Sequence, residues 1–184
     1  MNRIPHETIS EGVDPKSTNA CWITSALNAY EGRLVRYANS MVGDINIARE
    51  IIQESFLKLC RQQQSEIEPH LPSWLFRVSR NLAIDHLRKE KRMKTSNLQT
   101  IDELVANRRP QSNAHDTVVN SETNRSIQTQ VQQLPPSQQE VIRLRFENQM
   151  SYKQIADITG HTTGNVGFLL HTAIHKLRGA LCES

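Results

Sequence analysis

The stretch from residue 151 to residue 178 constrains this chain most, because its pattern predicts two short amphipathic helices joined by a sharp turn. Ser151 and Gln154 have the spacing of a capping box, in which each side chain bonds the other residue's backbone N–H, so a helix should begin at Ser151. Gly160 is the residue type that ends a helix in the left-handed conformation. The chain should therefore turn at Gly160 and enter a second helix.

That second helix is predicted to begin near Thr162 or Thr163, and at about 100° per residue its apolar side chains form one stripe. The stripe consists of Val166, Leu170, Ala173, Ile174 and Leu177. Such a pair is either an ordinary helical hairpin within a core or a helix-turn-helix that presents its second helix to DNA. Upstream, Pro135 and Pro136 precede a predicted helix that could support the pair through Val141, Ile142, Leu144 and Phe146.

Positive charge is concentrated in one predicted helix, from Pro72 to Met93, although the whole chain has a net charge of only +3. The cations between positions 71 and 94 are Arg77, Arg80, Arg88, Lys89, Lys91, Arg92 and Lys94. The predicted inner face consists of Leu75, Val78, Leu82 and His86. The charged side is either a solvated face or a phosphate-binding surface, and the second DNA-binding candidate downstream favours phosphate binding.

Enzymatic, metal-binding and membrane functions find little support in the sequence. Cys21, Cys60 and Cys182 have no paired spacing, and His171 and His175 could share a zinc ion only with further ligands that are not evident. No phosphate-cradling glycine loop or nucleophile with its base is present, so we expect no catalytic residues, no cofactor and no metal. The amino-terminal residues lack the apolar core of a secretory signal, so a cytoplasmic location is expected.

Two segments together resemble a known family. LPPSQQEVIRLRFENQMSYKQIADITGHTTGNVGFLLHTAIHKLR is similar to the promoter-binding C-terminal domain of bacterial sigma factors of the extracytoplasmic-function (ECF) group, within the sigma-70 family. DINIAREIIQESFLKLCR and LPSWLFRVSRNLAIDHLRKEKR are similar to the N-terminal domain of that group. The resemblance implies an all-α fold of two small helical domains joined by a flexible linker, the second containing the helix-turn-helix. We expect a disordered segment over 1–19, domains over 20–93 and 123–184, and a linker over 94–122.

The implied function is that of an RNA polymerase sigma factor, which directs promoter recognition, duplex opening and transcription initiation. The implied partners are the RNA polymerase core and promoter DNA, with an anti-sigma factor as a further candidate and no membrane. The alternative is a free-standing helix-turn-helix regulator. Such a regulator would usually dimerise on a palindrome and would have no need of the basic helix.

The resemblance also assigns roles within the N-terminal domain. The minus-ten element would be contacted by Arg77, Arg80, Asn81, His86, Arg88, Lys89 and Arg92. The loop over 62–70 would hold a base flipped from the opened duplex, whose unstacking must be offset by contacts to the separated strand. Polymerase binding would fall to Glu50, Gln53 and Glu54, although Arg49 stands where the family commonly has an acidic residue.

The minus-thirty-five element would be read by the second helix of the C-terminal pair. Its candidate DNA contacts are Thr162, Thr163, Asn165, Gly167, Phe168, His171 and Thr172. Phe168 departs from the family, which usually has basic or hydroxylated residues there. It could touch thymine methyl groups, pack on another protein surface, or belong to the core of a rotated helix; we favour the first two, because rotation would expose Leu170 or Leu177.

Overall fold

The computed structural model describes residues 15–94 and 122–182, and in those ranges every regular element is helical. The first range contains α1 (Pro15–Val42), α2 (Ile45–Leu59), α3 (Gln64–Ile67) with a 3-10 turn (Glu68–His70), and α4 (Leu71–Lys94). The second contains α5 (Glu122–Gln132), α6 (Pro136–Ile142), α7 (Tyr152–Thr159) and α8 (Thr163–Cys182). The all-α prediction is confirmed. The expectations for residues 1–14 and for most of the linker lie outside the described residues, and α1 begins ahead of the domain start expected at residue 20.

In the first range, α1, α2 and α4 pack into one bundle. Gly43, with φ at 73°, ends α1, and the Asp44 carboxylate caps α2 by accepting hydrogen bonds from the backbone N–H groups of Asn46 and Ile47. The predicted apolar side of α2 is buried in full: Ala48, Ile51, Ile52, Phe56 and Leu59. Helix α2 is thereby fixed on the bundle with its polar side exposed.

The predicted inner face of α4 is wrong in part. Leu75 is buried, but Val78, Leu82 and His86 are only half-buried. The buried positions are instead Leu71, Ser73, Leu75, Phe76, Ser79, Arg80, Ala83, Ile84 and Leu87. Helix α4 packs against α1, α2 and α7 at once, so its buried arc is wider than one stripe and is rotated from the predicted centre.

In the second range, the capping box and the glycine turn are confirmed. Gln154 N–H donates to Ser151 Oγ at 3.2 Å, Ser151 N–H donates to Gln154 Oε1 at 2.9 Å, and Gly160 has φ at 79°. Helix α6 continues into a π-helical turn over Arg143–Glu147. That wider turn changes the rotation of the side chains after it, so Phe146, predicted to face inward, is 59% exposed.

The two ranges also pack against each other, chiefly where α7 lies on α4. Helix α8 rests on α5, α6 and α7, which leaves its remaining side to solvent. None of the described helices combines the length and apolarity that a membrane crossing requires. The result is a single packed body whose two outer helical faces, on α4 and α8, are available for contacts.

Replacing Gly160 by alanine should destabilise the protein, because an L side chain in the left-handed conformation costs about 1–2 kcal/mol. Gly164 is the matched control: an added Cβ meets open space at both glycines, but Gly164 lies in the first turn of α8 without a positive φ. Gly164→Ala should leave the free energy of unfolding unchanged or raise it by up to about 1 kcal/mol. Urea unfolding followed by circular dichroism measures both, and equal effects would contradict the assigned turn.

Candidate nucleic-acid interface

Helix α8 begins on a side-chain cap and presents a polar first turn. The Thr162 hydroxyl accepts a hydrogen bond from the Asn165 backbone N–H at 3.2 Å, so this threonine oxygen is already engaged. Thr163, Gly164 and Asn165 are exposed beside it. The first turn therefore offers short polar side chains to a DNA groove without a bulky obstruction.

The orientation of α8 decides between the three interpretations of Phe168. Phe168 is 67% exposed, whereas Leu170 is 1% exposed and Val166 and Ala173 are fully buried. The rotated-helix interpretation is therefore wrong, and DNA contact and protein contact remain. Of the other predicted contacts, His171 is exposed, while Gly167 and Thr172 are half-buried.

His171 and His175 both stand exposed on α8, one turn apart. Within the described ranges neither belongs to a group of three or more side chains that could hold a metal ion. Their position beside Phe168 instead places two hydrogen-bonding rings along the accessible side of the helix.

A cation beside α8 was missed by the sequence analysis. The Arg145 guanidinium lies 5.5 Å from the centroid of the Tyr152 ring, and its Nη1 donates to the Met150 carbonyl at 2.9 Å. The Tyr152 ring in turn lies 3.8 Å from where a Cβ on Gly167 would stand. Hydrophobic periodicity could not have predicted the position of Arg145, because its contacts join residues of the π-helical turn, α7 and α8. Arg145 thus places positive charge over the Tyr152 ring, which lies next to Gly167 of α8.

The basic face of α4 is largely accessible. Arg77, Asn81, Arg88, Lys89 and Arg92 are exposed, and at about 100° per residue they fall within an arc of about 120°. Arg88 lies 3.6 Å from Asp85 in an exposed pair that solvent screens. His86 lies outside that arc and is half-buried. Its Nε2 atom is 4.0 Å from Glu90 Oε2. The accessible cations are spaced along the helix as a phosphate-binding row would be.

Arg80, unlike the exposed arginines predicted to contact the minus-ten element, is buried. It is 8% exposed, and its guanidinium pairs in bidentate fashion with the Glu140 carboxylate of α6, Nε to Oε1 at 2.7 Å and Nη2 to Oε2 at 3.2 Å. A sequence signal existed, because Arg80 follows Phe76 and precedes Ile84 at helical spacing, and both neighbours are buried.

The segment over 62–70, expected as a loop, is mostly helical. It holds α3 and the 3-10 turn, with Ile67 buried as an anchor. The Gln64 side-chain amide donates to Glu68 Oε2 at 3.1 Å, and Glu66 and Glu68 are exposed. Exposed carboxylates repel phosphates, so this segment is suited to base edges rather than to the DNA backbone.

The predicted polymerase contacts Glu50, Gln53 and Glu54 are exposed along α2. Glu54 forms a solvent-exposed ion pair with Lys58, in which Oε1 lies 3.5 Å from Nζ. An open groove of about 420 Å³ lies between α1 and α2, with Gln53 and the exposed Leu57 among its lining residues. The same groove is lined by Glu31 and Arg49 and by Ile52 and Phe56 from the apolar side of α2, so it combines charged and apolar groups.

Comparisons with known proteins agree with this geometry. The family model for sigma-70 region 2 matches residues 26–93, and that for sigma-70 region 4 matches residues 124–177. The chain is similar to two ECF RNA polymerase sigma factors of Bacillus subtilis (strain 168). SigW is 28% identical over 164 residues, covering 84% of each chain, and SigM is 28% identical over 149 residues, covering 81% of this chain and 88% of SigM.

Among solved structures, the sigma factor RpoE, in a co-crystal structure with the anti-sigma factor NepR from Bartonella quintana, has a similar fold. The TM-score is 0.64 at 22% sequence identity, and the likeness covers 88% of this chain and 95% of RpoE. At this identity the likeness concerns the fold alone. It extends across both helical ranges.

If the α4 face binds the DNA backbone, neutralising its cations should weaken binding and reduce its salt dependence. The triple variant Arg88→Gln, Lys89→Gln and Arg92→Gln removes three exposed charges. For a single strand, the slope of log affinity against log salt should fall by about 0.7 for each lost contact, or about 2 in all. Fluorescence anisotropy with a labelled twelve-nucleotide dT strand measures this slope.

The matched control neutralises three exposed cations elsewhere in the first range: Arg36→Gln, Arg49→Gln and Arg61→Gln. It carries the same change in net charge, so it corrects for long-range attraction between the protein and the strand. The control should change the slope much less than the α4 variant. Equal slopes in the two variants would show that α4 makes no localised phosphate contacts.

Proposed function

Because this chain belongs to the sigma-70 family, as an RNA polymerase sigma factor of the ECF group, we propose that it divides promoter recognition between the exposed sides of α4 and α8. The observation that supports this proposal most strongly is that one chain has both a basic face on α4 and a capped helix-turn-helix whose second helix, α8, has one side exposed to solvent. The protein directs promoter recognition, duplex opening and transcription initiation. The free-standing regulator does not account for both family matches.

In the N-terminal domain, the separated minus-ten strand lies along α4. Arg77, Arg88, Lys89 and Arg92 bind phosphates, and Asn81 is placed among them to reach a base edge. His86 and Arg80, which are less accessible, contribute once the strand is bound. A flipped base enters the pocket formed by 62–70, where the acidic residues favour base edges over phosphates.

In the C-terminal domain, the first turn and outer side of α8 enter the major groove at the minus-thirty-five element. Thr163, Asn165 and His171 supply donors and acceptors, and Thr162, Gly167 and Thr172 lie beside them. Phe168 contacts thymine methyl groups. Arg145, held beside α8 by the Tyr152 ring, binds a flanking phosphate and supplies charge that the recognition helix lacks.

Glu50, Gln53 and Glu54 of α2 bind the clamp helices of the polymerase core, with Leu57 as an apolar contact beside them. The protein acts in the cytoplasm and performs no covalent chemistry of its own. A candidate further partner is an anti-sigma factor, in line with the complex in which the similar RpoE was solved. The proposed domain limits are 20–93 and 123–184, joined by a linker over 94–122.

The test of this function is transcription by a bacterial core polymerase with and without the purified protein, with sequencing of the transcript 5′ ends. The protein should bind core and produce transcripts that start downstream of one shared pair of upstream elements. Transcripts independent of the added protein would overturn the proposal. Specific duplex binding in the absence of core, without any stimulation of initiation, would support the regulator instead.

The role of Phe168 can be tested with thymine and uracil, which differ by the methyl group alone. Replacing thymines of the minus-thirty-five element by uracil should weaken binding of the wild-type holoenzyme by about 0.8 kcal/mol per contacted methyl, about fourfold. The Phe168→Ala holoenzyme should be insensitive to the exchange, while its unfolding free energy stays close to wild type because the ring is exposed. Equal sensitivity of the two holoenzymes would assign Phe168 to a protein contact.

A further inference from the structure

Two histidines of α8 lie on the side of the helix that is open to solvent. His171 and His175 are exposed, and neither ring has a hydrogen-bond or ion-pair partner among the described residues. At about 100° per residue, the two side chains leave the helix only about 40° apart. Their ring nitrogens are therefore available to one and the same external ligand.

The spacing of the pair suits a metal ion. Side chains four residues apart on a helix have Cβ atoms about 5–6 Å apart, so both imidazoles can reach one ion at about 2.1 Å. Two histidines at this spacing on one helix face are a known arrangement for binding zinc. Burial of Val166, Leu170 and Ala173 fixes the rotation of α8, so only the two histidine side chains need to be ordered when an ion binds.

The composition of α8 selects the class of ion. The helix contains neither Asp nor Glu, so its side chains offer no carboxylate to ions that prefer oxygen ligands, such as Mg²⁺ and Ca²⁺. Imidazole instead suits Ni²⁺, Cu²⁺ and Zn²⁺. Arg178, one turn beyond His175, is exposed, so solvent and salt screen its repulsion of a bound ion.

The same side of α8 carries proposed DNA contacts. Phe168, His171 and His175 fall within an arc of about 60°. An α-helix with its side chains is about 10–12 Å across and already fills a major groove about 12 Å wide. An ion with its water ligands on this side therefore leaves no room for the helix to reach the base edges. In addition, His171 cannot turn toward a base while its ring is held toward His175.

We propose that His171 and His175 chelate a divalent transition-metal ion of the Ni²⁺, Cu²⁺ and Zn²⁺ class, and that the bound ion excludes α8 from the major groove. The sequence predicts no metal because further protein ligands are not evident, but water can fill the remaining coordination positions of an ion held by two imidazoles. Ion binding is independent of the proposed function, whereas the exclusion rests on the proposed reading of the minus-thirty-five element by α8. By linkage, promoter DNA lowers the affinity for the ion by the same factor as the ion lowers the affinity for DNA.

Calorimetric titration of the full chain with NiCl₂ tests the site. His175→Gln leaves a single imidazole, and since linking two ligands raises affinity by about a hundredfold or more, Ni²⁺ binding at the pair should weaken by about a hundredfold. The exposed Cys21 and Cys60 are present in both proteins, so any Ni²⁺ that they bind cancels in the comparison. MgCl₂ should show no difference between the two proteins.

Two control variants separate the spacing of the pair from the number of histidines. His161→Gln removes a histidine that precedes α8 and should bind Ni²⁺ as wild type does. His175→Gln with Lys176→His keeps the number of histidines but places the second ring about 140° from His171, so it should bind as weakly as His175→Gln. A wild-type affinity for Ni²⁺ no higher than that of either His175 variant would overturn the site.

Promoter binding by the holoenzyme tests the exclusion. At a Ni²⁺ concentration ten times its dissociation constant for wild type, exclusion should weaken binding of promoter DNA about tenfold. His175 lies outside the proposed DNA contacts, so holoenzyme made with His175→Gln should bind DNA like wild type without metal and respond much less to Ni²⁺. The same variant corrects for effects of Ni²⁺ on core polymerase. Equal responses of the two holoenzymes would overturn the exclusion.

Transcription by wild type without added Ni²⁺ decides the proposed function separately. If wild type directs specific initiation but binds Ni²⁺ no better than His175→Gln, the metal site fails and the function stands. If the pair binds Ni²⁺ but no specific initiation occurs, the proposed function and the exclusion fail while the metal site stands.

Discussion

The burial of α4 on three sides is the constraint on which the rest of this structure depends. Its inner arc packs on α1 and α2, its flank receives α7, and only the remaining arc is left to solvent. Charged side chains are costly to bury without a partner, and Arg77, Arg88, Lys89 and Arg92 all lie on the open arc. Arg80 falls outside that arc and is compensated by Glu140. Core formation and placement of positive charge are therefore two results of the same helix packing.

The orientation of α8 depends on a different feature, a rigid turn between two capped helices. The capping box at Ser151, the left-handed Gly160 and the Thr162 cap fix the rotation of α8 against α7. That rotation buries Leu170 and leaves Phe168 outside. The Arg145 guanidinium lies over the ring of Tyr152, which is next to Gly167 of α8, so it adds positive charge close to that helix. The rotation of α8 and the positive charge near it thus come from separate segments of the chain.

The features that were predicted correctly are those in which cause and effect lie within one or two helical turns. The start of α7, the glycine turn and the apolar side of α2 are of this kind, since each follows from spacing and local hydrogen bonding. The features that were predicted wrongly depend instead on contacts between separate elements. The inner face of α4, the outward Phe146 and the helical form of 62–70 depend on which neighbours pack on each element and on a π-helical turn that periodicity does not encode.

By itself, the amino-acid sequence determined the helical class, the two-part organisation, the helix-turn-helix and the concentration of positive charge, because periodicity, capping residues and charge are properties of short segments. Only the tertiary structure decided which of those charges can reach a ligand. Arg80 and Arg88 are both arginines of α4, eight residues apart, yet one is locked to Glu140 and the other is open to solvent. The difference arises from contacts between residues far apart in the chain, which exist only once the two domains have packed together.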